Sequence, residues 1–407
     1  MNNIAIIDNC FNYDTLKIDF NNIENLSLGG SETWTITSAK IFNKHNFNVY
    51  IICNCSHEYS FNNITWININ NIEQISYNYK FDFVIITRNV NKRILDLLYK
   101  NHTTNNIYIQ VHDMWIYDTE SSDNIYDINI LKNISNYFDY NIVKGIICVS
   151  SIQAESVYLH NNIQKDKIHI IPNIVYNIER FYNAKPNKQI DNSILWSSAP
   201  DRGFIILTDY IMPIVLDSIP NFTVYYCSNN ELFIKKYDNI HNIKNLGRIS
   251  KNELYNEMYK HGVWFYTSTF VESFNITCLE NILCCNDFVL PIKDGMFDIL
   301  KPYKNISLSK EFDTSNTNFL LTLIYNINKY PSVNIYPYYN QESLDYMFSK
   351  KYNQQLIEES ANMIVDRIKN YYDPVRIQLR ESIKNYAIEN FSEQVFINKW
   401  LSIFNMC

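Results

Sequence analysis

Short apolar runs recur through the chain, and each is followed by a longer polar or amphipathic stretch. In the first half the runs include NIAIID, NVYIIC, FDFVIIT, NIYIQV and GIICVS. Near-continuous apolar runs of this length are typical of strands covered on both faces, as in a parallel sheet with helical crossovers. The alternation closes with KIHIIPN, which predicts a first doubly wound α/β domain over residues 1–178.

The same alternation begins again after a polar segment. SILWSS, FTVYYCS, NIKNLG, GVWFYT and DFVLP are predicted to be strands, with helices after Arg202 and over residues 251–260. We therefore expect a second Rossmann-like domain over residues 179–375 and a helical terminal segment over residues 376–407. Two such domains in tandem predict a cleft, bounded by the carboxyl ends of both sheets, in which a ligand binds.

Charge and hydropathy exclude several classes of protein. The 407 residues carry a formal net charge of −7, and no basic stripe suited to nucleic-acid phosphates is visible. The apolar runs are far shorter than the ~20 residues of a membrane-spanning helix, and the N-terminus does not resemble a signal peptide. We expect a soluble, cytoplasmic protein that binds no nucleic acid, and we leave peripheral membrane contact and oligomeric state open. The excess of Asn, Ile, Tyr and Lys suggests an AT-rich genome, such as that of a large DNA virus or an AT-rich microbe. If the protein is viral, we expect it in the cytoplasm of the host cell.

The nine cysteines are scattered and odd in number, as expected of a reducing compartment. Cys53 with Cys55, or Cys284 with Cys285, could in principle ligate a metal. A metal site would need a second cluster of Cys or His at suitable spacing, and the sequence offers none. We therefore expect buried, unpaired thiols and no metal.

Glycine is scarce, so its positions are informative. Only seven occur, and Gly29 and Gly30 are adjacent in SLGGSETW, between the first strand and the first helix. Such a pair lets backbone N–H groups approach an anion at a helix N-terminus. The alternative is a tight turn and helix cap in which Glu32 favours the helix dipole. The loop lacks the GxGxxG dinucleotide fingerprint.

Polar residues follow two other predicted strands. His112 and Asp113 end the strand in IQVHDMW, where a histidine could hydrogen-bond a sugar hydroxyl or a developing charge. Arg202 and Gly203 in SSAPDRGF start a helix, where the guanidinium group of the arginine could bind a diphosphate through two parallel N–H groups. The alternatives are a structural histidine and a surface arginine in a turn.

FVESFNITCLENILCC, residues 270–285, carries two glutamates around an apolar helix. Its predicted buried positions are Ile276, Leu279, Ile282 and Leu283. The helix would begin near Asn275, so that Glu272 precedes it and Glu280 projects from it. Glu280 could accept hydrogen bonds from a ribose diol and Glu272 from a sugar ring, while the first N–H groups of the helix face a phosphate. For each glutamate alone, a solvated surface carboxylate is the simpler interpretation.

Together these motifs resemble the retaining, nucleotide-sugar-dependent glycosyltransferases of the GT-B fold, specifically the group-1 family, also called family 4. The similarity is strongest over residues 241–300, which keep the family's order of strand, short helix, strand and E-x7-E helix. The resemblance implies two Rossmann-like domains facing across a cleft, with a C-terminal helix crossing back to the N-terminal domain. It also implies transfer of a sugar from a nucleoside diphosphate to a hydroxyl of a glycan, lipid or protein-glycan precursor, without a metal or other cofactor.

The resemblance also assigns roles to single residues. The catalytic positions it implies are Glu272, at the sugar ring, and His112. The donor-binding positions it implies are Gly29, Gly30, Ser198, Arg202, Gly203, Phe274, Asn275, Ile276 and Glu280. Arg202 and the amides near Asn275 would neutralise the leaving diphosphate, Glu280 would hold the ribose, and domain closure would exclude water.

Three positions depart from the family's pattern. Asn275 replaces a glycine, Trp196 lies where a second arginine is often found, and Asn286–Asp287 replace a Gly-x-Pro. These departures leave a non-catalytic nucleotide-sugar binder or partner subunit as the main alternative. An NAD-dependent oxidoreductase would need the missing fingerprint loop, and a GT-B epimerase is a further alternative.

Overall fold

The computed structural model describes residues 2–12, 26–113, 117–118, 143–161, 163–175, 177–229, 231–266, 272–292, 294–306 and 351–404. The chain divides into two compact units, Met1–Ile178 with Glu389–Cys407, and Glu179–Ile388. Each unit is built on a parallel sheet, so the predicted α/β class is confirmed. FLLTLIYNINKY, residues 319–330, has the pattern of a further helix, and this segment lies outside the described residues. None of the described helices is both long enough and apolar enough to cross a membrane.

The first unit contains a large, mostly parallel sheet. Its strands are β1 (Asn2–Asn12), β2 (Phe47–Asn54), β3 (Tyr59–Phe61), β4 (Ile64–Asn68), β5 (Phe83–Thr87), β7 (Ile107–Gln110), β9 (Val143–Cys148) and β10 (Ile168–Ile170), while β6 (Asn89–Val90) and β8 (Tyr117–Asp118) form a separate pair. The order across the sheet is β10-β9-β7-β5-β1-β2-β4-β3, with β3 antiparallel to β4. The helices are α1 (Gly30–Lys44), α2 (Ile72–Asn78), α3 (Lys92–Lys100) and α4 (Ser151–Asn161).

The second unit has a five-stranded sheet in the order β13-β12-β11-β14-β15, and its neighbouring strands pair in parallel. The strands are β11 (Ser193–Trp196), β12 (Thr223–Tyr226), β13 (Ile243–Asn245), β14 (Val263–Phe265) and β15 (Asp287–Val289). A π-helix (Ile206–Ile211) leads into α5 (Met212–Ser218). The later helices are α6 (Glu231–Tyr237), α7 (Lys251–His261), α8 (Ile276–Leu283), α9 (Met296–Leu300), α10 (Lys351–Lys369) and α11 (Pro374–Phe391).

The last described helix, α12 (Glu393–Phe404), belongs to the first unit. Its buried face carries Phe396, Trp400 and Phe404, which join the core formed by α1 and the sheet. Phe404 stacks on Phe83 of β5 with ring centroids 4.0 Å apart. The boundary between the two units falls inside α11, because residues up to Ile388 belong to the second unit and residues from Glu389 onwards belong to the first. The returning segment is therefore shorter than the expected 376–407.

Each sheet has one point at which its strand order reverses direction. In the first sheet this point lies between β1 and β5, and in the second it lies between β11 and β14. The connections from these neighbouring strands leave towards opposite faces, so their carboxyl ends border a crevice where open α/β sheets bind ligands. The segments that follow these four strands contain most of the residues considered below.

Candidate functional site

Glu272 lies beside the reversal point of the second sheet, in the segment between β14 and α8. Arg202 ends a short turn that follows β11, and its Nη1 lies 3.2 Å from Glu272 Oε1. The Tyr266 hydroxyl, just beyond β14, donates a 2.6 Å hydrogen bond to the same oxygen. The Glu272 side chain is only 13% exposed. A solvated surface carboxylate is therefore the wrong interpretation of Glu272.

The backbone around Glu272 is fixed by the segment that precedes α9. The Gly295 N–H donates to the Glu272 carbonyl at 2.8 Å, and the Glu272 N–H lies 3.3 Å from Asp294 Oδ2. A Cβ at Gly295 would lie 2.0 Å from the Ser273 carbonyl oxygen and 2.5 Å from the Phe274 nitrogen. Only glycine permits this approach, which holds Glu272 in place.

Asn275 begins α8, as the sequence predicted. Its backbone is left-handed, with φ 70° and ψ 77°, and its side-chain Oδ1 accepts a 2.8 Å hydrogen bond from the Cys278 N–H. Asparagine is one of the few residues besides glycine that adopt this conformation readily. The preceding Phe274 is fully buried. The amides of Ile276 and Thr277 lie in the first turn, where a helix supplies no internal acceptors.

The loop after β11 is shaped by its own side chains. Gly203 has φ 112°, in the left-handed region, directly after Arg202. Trp196 is buried, and its Nε1 donates to the Ala199 carbonyl at 3.3 Å, which closes the loop. Ser198 is half-buried within this loop, while the neighbouring Ser197 accepts a 3.3 Å hydrogen bond from Asn281 of α8. Trp196 thus supports the loop by packing and by this hydrogen bond, and it brings no charge to the loop.

Glu280 lies in the second turn of α8 and is more deeply buried than Glu272. Its side chain is 1% exposed and forms an ion pair with Lys251, whose Nζ lies 2.6 Å from Oε1. The Tyr255 hydroxyl donates to the same oxygen at 3.0 Å. A solvated surface carboxylate is the wrong interpretation of Glu280 as well, because Lys251 of α7 neutralises its charge inside the protein.

In the first unit, Gly29 caps α1 and Gly30 is its first residue. The buried Glu32 side chain folds back over the loop, so that a Cβ at Gly29 would lie 2.3 Å from Glu32 Oε2. Thr33 Oγ1 donates to the Gly29 carbonyl at 2.6 Å. The acidic side chain sits close to the positive end of the helix dipole, as in the helix-cap alternative. An anion-binding role for the glycine pair stays a prediction.

Arg88 connects the remaining residues at the reversal point of the first sheet. It follows β5 with φ 61°, and its Nη1 donates to Ser31 Oγ at 3.3 Å. Its Nε lies 3.5 Å from Asp113 Oδ2. The His112 ring contacts the edge of Trp34 with centroids 5.2 Å apart. Burial, and then the charge of Arg88, lowers the pKa of His112 to about 3, so this imidazole is neutral at pH 7.

The described residues therefore form two groups, one in each unit. Arg202 and Glu272 are in direct contact near the start of α8, and the second glutamate lies on that helix. His112 and the glycine pair lie in the first unit, connected through Arg88, Ser31 and Trp34. Sequence reasoning missed the partners that hold these side chains, namely Arg88, Lys251, Tyr255, Tyr266 and Asp294. Across the part of the chain that the structure describes, no group of three or more His, Cys, Asp or Glu side chains could hold a metal ion.

A scan of protein-family profiles and a search of curated proteins found no match. Solved structures match over the whole chain. HepE from Anabaena, in complex with UDP and glucose, is 12% identical with a TM-score of 0.61, and the match covers 100% of both chains. A glycosyltransferase from Rickettsia africae ESF-5 is 16% identical with a TM-score of 0.60, covering 100% of this chain and 98% of that one. A trehalose 6-phosphate synthase from Burkholderia multivorans is 9% identical with a TM-score of 0.54, covering 100% and 97%.

Similarity at such low identity is evidence of fold. The expected architecture, two Rossmann-like units each with a parallel sheet, is the one these structures share. The chain has the two-domain GT-B fold found in structures of glycosyltransferases.

Proposed function

We propose that this protein is a cytoplasmic glycosyltransferase that moves a sugar from a nucleoside diphosphate to a hydroxyl acceptor. The observation that carries the proposal is the contact between Arg202 and Glu272 at the reversal point of the second sheet. The two groups lie side by side at the edge where such sheets bind ligands. The guanidinium group of Arg202 suits a diphosphate, because its parallel N–H groups can donate to two phosphate oxygens, and the carboxylate of Glu272 suits the hydroxyls of a sugar. The fold is shared with HepE, whose structure contains UDP and glucose.

We assign the donor to the second unit. Arg202 and the first amides of α8, at Ile276 and Thr277, would neutralise the charge that develops on the departing diphosphate. Gly203 lets the backbone approach the phosphates, and Ser198 flanks them. Phe274 is fully buried, so its contribution would be to support the start of α8 and not to contact the donor. Glu272 would accept hydrogen bonds from the sugar ring, and Glu280 would accept them from the ribose.

We further propose the group-1 family's chemistry, which is retention of configuration without a metal. The diphosphate leaves, and one of its oxygens accepts the proton of the acceptor hydroxyl, which attacks from the same face. This step needs no enzymic nucleophile, and Arg202 with the α8 N-terminus supplies the positive charge. Because His112 is neutral, we assign it a hydrogen-bonding role towards sugar or acceptor hydroxyls, with Gly29 and Gly30 on the same side.

The test is a thermal-shift screen of UDP-, GDP-, ADP- and dTDP-sugars, followed by transfer and hydrolysis assays on whatever binds. At least one donor should raise Tm and be turned over. Glu272→Ala should lower turnover by about 100-fold or more, as expected when a group that acts on the reacting sugar is removed. The proposal would be overturned if no sugar nucleotide stabilises the protein while unrelated ligands do.

A second candidate is a nucleotide-sugar-binding protein without turnover. The observation that favours it is Asn275, whose side chain occupies a position that is glycine in most of the family and caps α8 from there. Tight donor binding with neither transfer nor hydrolysis, against every acceptor tested, would support this candidate over the enzyme.

A further inference from the structure

Within the part of the chain that the structure describes, the partners of Glu280 hold one of its two carboxylate oxygens. Lys251 Nζ and the Tyr255 hydroxyl both donate to Oε1, while Oε2 receives no hydrogen bond from the described residues. Glu272 also has a cation and a tyrosine as partners, since Arg202 and Tyr266 both donate to its Oε1. At Glu280, one cation and one tyrosine hydroxyl fix a single carboxylate oxygen, which sets the direction of the other.

Helix stability does not explain Lys251. It is the first residue of α7, directly after the Ser250 cap and the capping box that Ser250 forms with Glu253. A cation in the first turn opposes the helix dipole. A buried ion pair is also weak evidence for stability, because desolvation of the two charges can exceed their attraction. The charge of Lys251 thus opposes the dipole of its own helix, but it neutralises the buried carboxylate of Glu280.

The position of Lys251 in the fold points to a ligand. Because α7 follows β13, its first residue lies at the carboxyl edge of the sheet, the edge that also carries Arg202 and Glu272. Tyr255 lies one turn further along the helix. Burial, and then Glu280, raises the pKa of Tyr255 well above its ordinary value, so its hydroxyl keeps its proton and acts as a donor.

We propose that Lys251 is a positioning residue for the nucleotide ribose. By holding Oε1 together with Tyr255, it turns Oε2 of Glu280 towards the ribose hydroxyls and makes the site prefer ribonucleotides to deoxyribonucleotides. The inference rests on the proposed nucleotide-sugar function and adds to it a residue and a selectivity.

The experiment compares UDP, GDP and ADP with their 2′-deoxy and 3′-deoxy counterparts by calorimetric titration of the full chain. The nucleotide that binds the wild type best is then used with each variant. The wild type should bind at least one deoxy analogue about tenfold or more weakly, because a hydrogen bond to a charged group is lost. In Lys251→Met this ratio should fall to about one to two, and Lys251→Arg should restore most of it.

The ratio within one variant separates positioning from a general loss of stability, which would weaken both nucleotides alike. Tyr255→Phe removes a single hydroxyl and should lower the ratio in part, which keeps the test open if Lys251→Met does not fold. Lys260→Met is the matched control, since Lys260 is a half-exposed lysine of the same helix paired with Glu257, and it should leave the ratio unchanged.

Failure of the inference can be distinguished from failure of the proposed function. If UDP, GDP, ADP and dTDP all fail to bind the wild type, both are wrong. If a nucleotide binds and the wild type does not discriminate, or prefers dTDP, only the role in ribose selection is wrong. That role is also wrong if the folded Lys251→Met protein, or Tyr255→Phe in its place, keeps the full ratio.

Discussion

Asn275 combines two local roles that few residues can fill together. Its backbone is left-handed, which favours glycine, and its side chain caps α8, which glycine cannot do. A glycine at this position would satisfy the first role alone. Asparagine therefore keeps the backbone geometry and adds a side chain beside the proposed phosphate and sugar positions.

We predict a ranking of two substitutions at Asn275. Asn275→Gly should cost only a few tenths of a kcal/mol, because glycine accepts the backbone and is tolerated as a cap. Asn275→Ala should cost about 2 kcal/mol, since it loses the cap and adds left-handed strain. Chemical denaturation measures both. Equal costs would show that the left-handed backbone is not what matters at this position.

The buried His261 predicts a loss of stability in mild acid. Its side chain is fully buried, with Nδ1 2.7 Å from Ser193 Oγ, and burial lowers its pKa to about 4 despite the nearby Glu257. Between pH 6.5 and 4 the unfolded chain binds a proton that the folded chain does not. Stability is therefore full above pH 6.5 and falls as the pH drops, by up to about 1.4 kcal/mol per pH unit from this residue.

His261→Asn should reduce the fall of the free energy of unfolding between pH 6.5 and 5, whatever its effect on stability at pH 7. The free energy of unfolding, measured by denaturant titration between pH 5 and 6.5, gives the slope directly. Exposed His57→Asn serves as the control for replacing a histidine. An unchanged slope in His261→Asn would show that this histidine takes up its proton without unfolding.

The sequence indicated the glutamate pair, Arg202 and the start of α8, because each stands out by residue type or by spacing. It did not indicate Tyr266 or Lys251. Tyr266 is one of 32 tyrosines, and Lys251 meets a partner 29 positions away. The solvated interpretation of the glutamates failed for the same reason, since the neutralising partner comes from another element and leaves no local signal.

At the scale of elements, Asp287 joins three parts of the second unit. It begins β15, and Arg367 of α10 with Arg376 and Arg380 of α11 surrounds its carboxylate at 3.0–3.4 Å. Burial raises the pKa of Asp287, and the arginines oppose that rise. The sequence had marked this position only as a departure from the Gly-x-Pro of the group-1 family that it resembles. In the fold, Asp287 fastens two helices to the edge of the sheet.

Asp287→Ala should lower the stability of the second unit by about 3–5 kcal/mol, because it leaves several arginines without their buried carboxylate. Hydrogen exchange in α10 and α11 should report the loss directly. Asp366→Ala is the matched control. Asp366 also contacts Arg367 and Arg376, but its side chain is 43% exposed, and the effect should be clearly smaller. Similar losses in both variants would refute the role given to Asp287.

Element prediction succeeded where burial on both faces produced a continuous apolar run. FVIIT is buried at every position and was recognised as a strand. The hairpin of β3 and β4 was missed, because YSF is largely exposed and ITWIN is mixed in character, between Asn-rich stretches. Short strands of this kind, at or next to the edge of a sheet, owe their conformation to neighbouring strands, which a local pattern does not reveal.

At the scale of the whole molecule, the first unit is completed by residues from the end of the described chain. Trp400 is fully buried against Phe42 and Tyr108, with centroids 5.7 and 6.2 Å away. The sequence predicted a terminal segment that returns to the first domain, on the basis of resemblance and not of periodicity. The aromatic residues that make the contact show why the unit would be incomplete without it.

Trp400→Ala should destabilise the first unit by about 3–5 kcal/mol, as expected for removal of a large buried side chain. Hydrogen exchange resolved by segment is the suitable measurement, because two units need not unfold in one transition. Protection should fall in α1 and β5 and should change little in β11 to β15. Ser402→Ala, at an exposed position of the same helix, is the control. Equal loss in both units would show that they unfold as one.

The return of α12 to the first unit has a consequence for biosynthesis. A nascent chain makes residues 1–178 first, but their core lacks Trp400 and Phe404 until the whole second unit has been translated. At 5–20 residues per second, the intervening segment takes roughly 10–40 s to synthesise. During that interval the aromatic surface of α1 and β5 is uncovered on the ribosome. The second unit can finish folding earlier, although its sequence comes later.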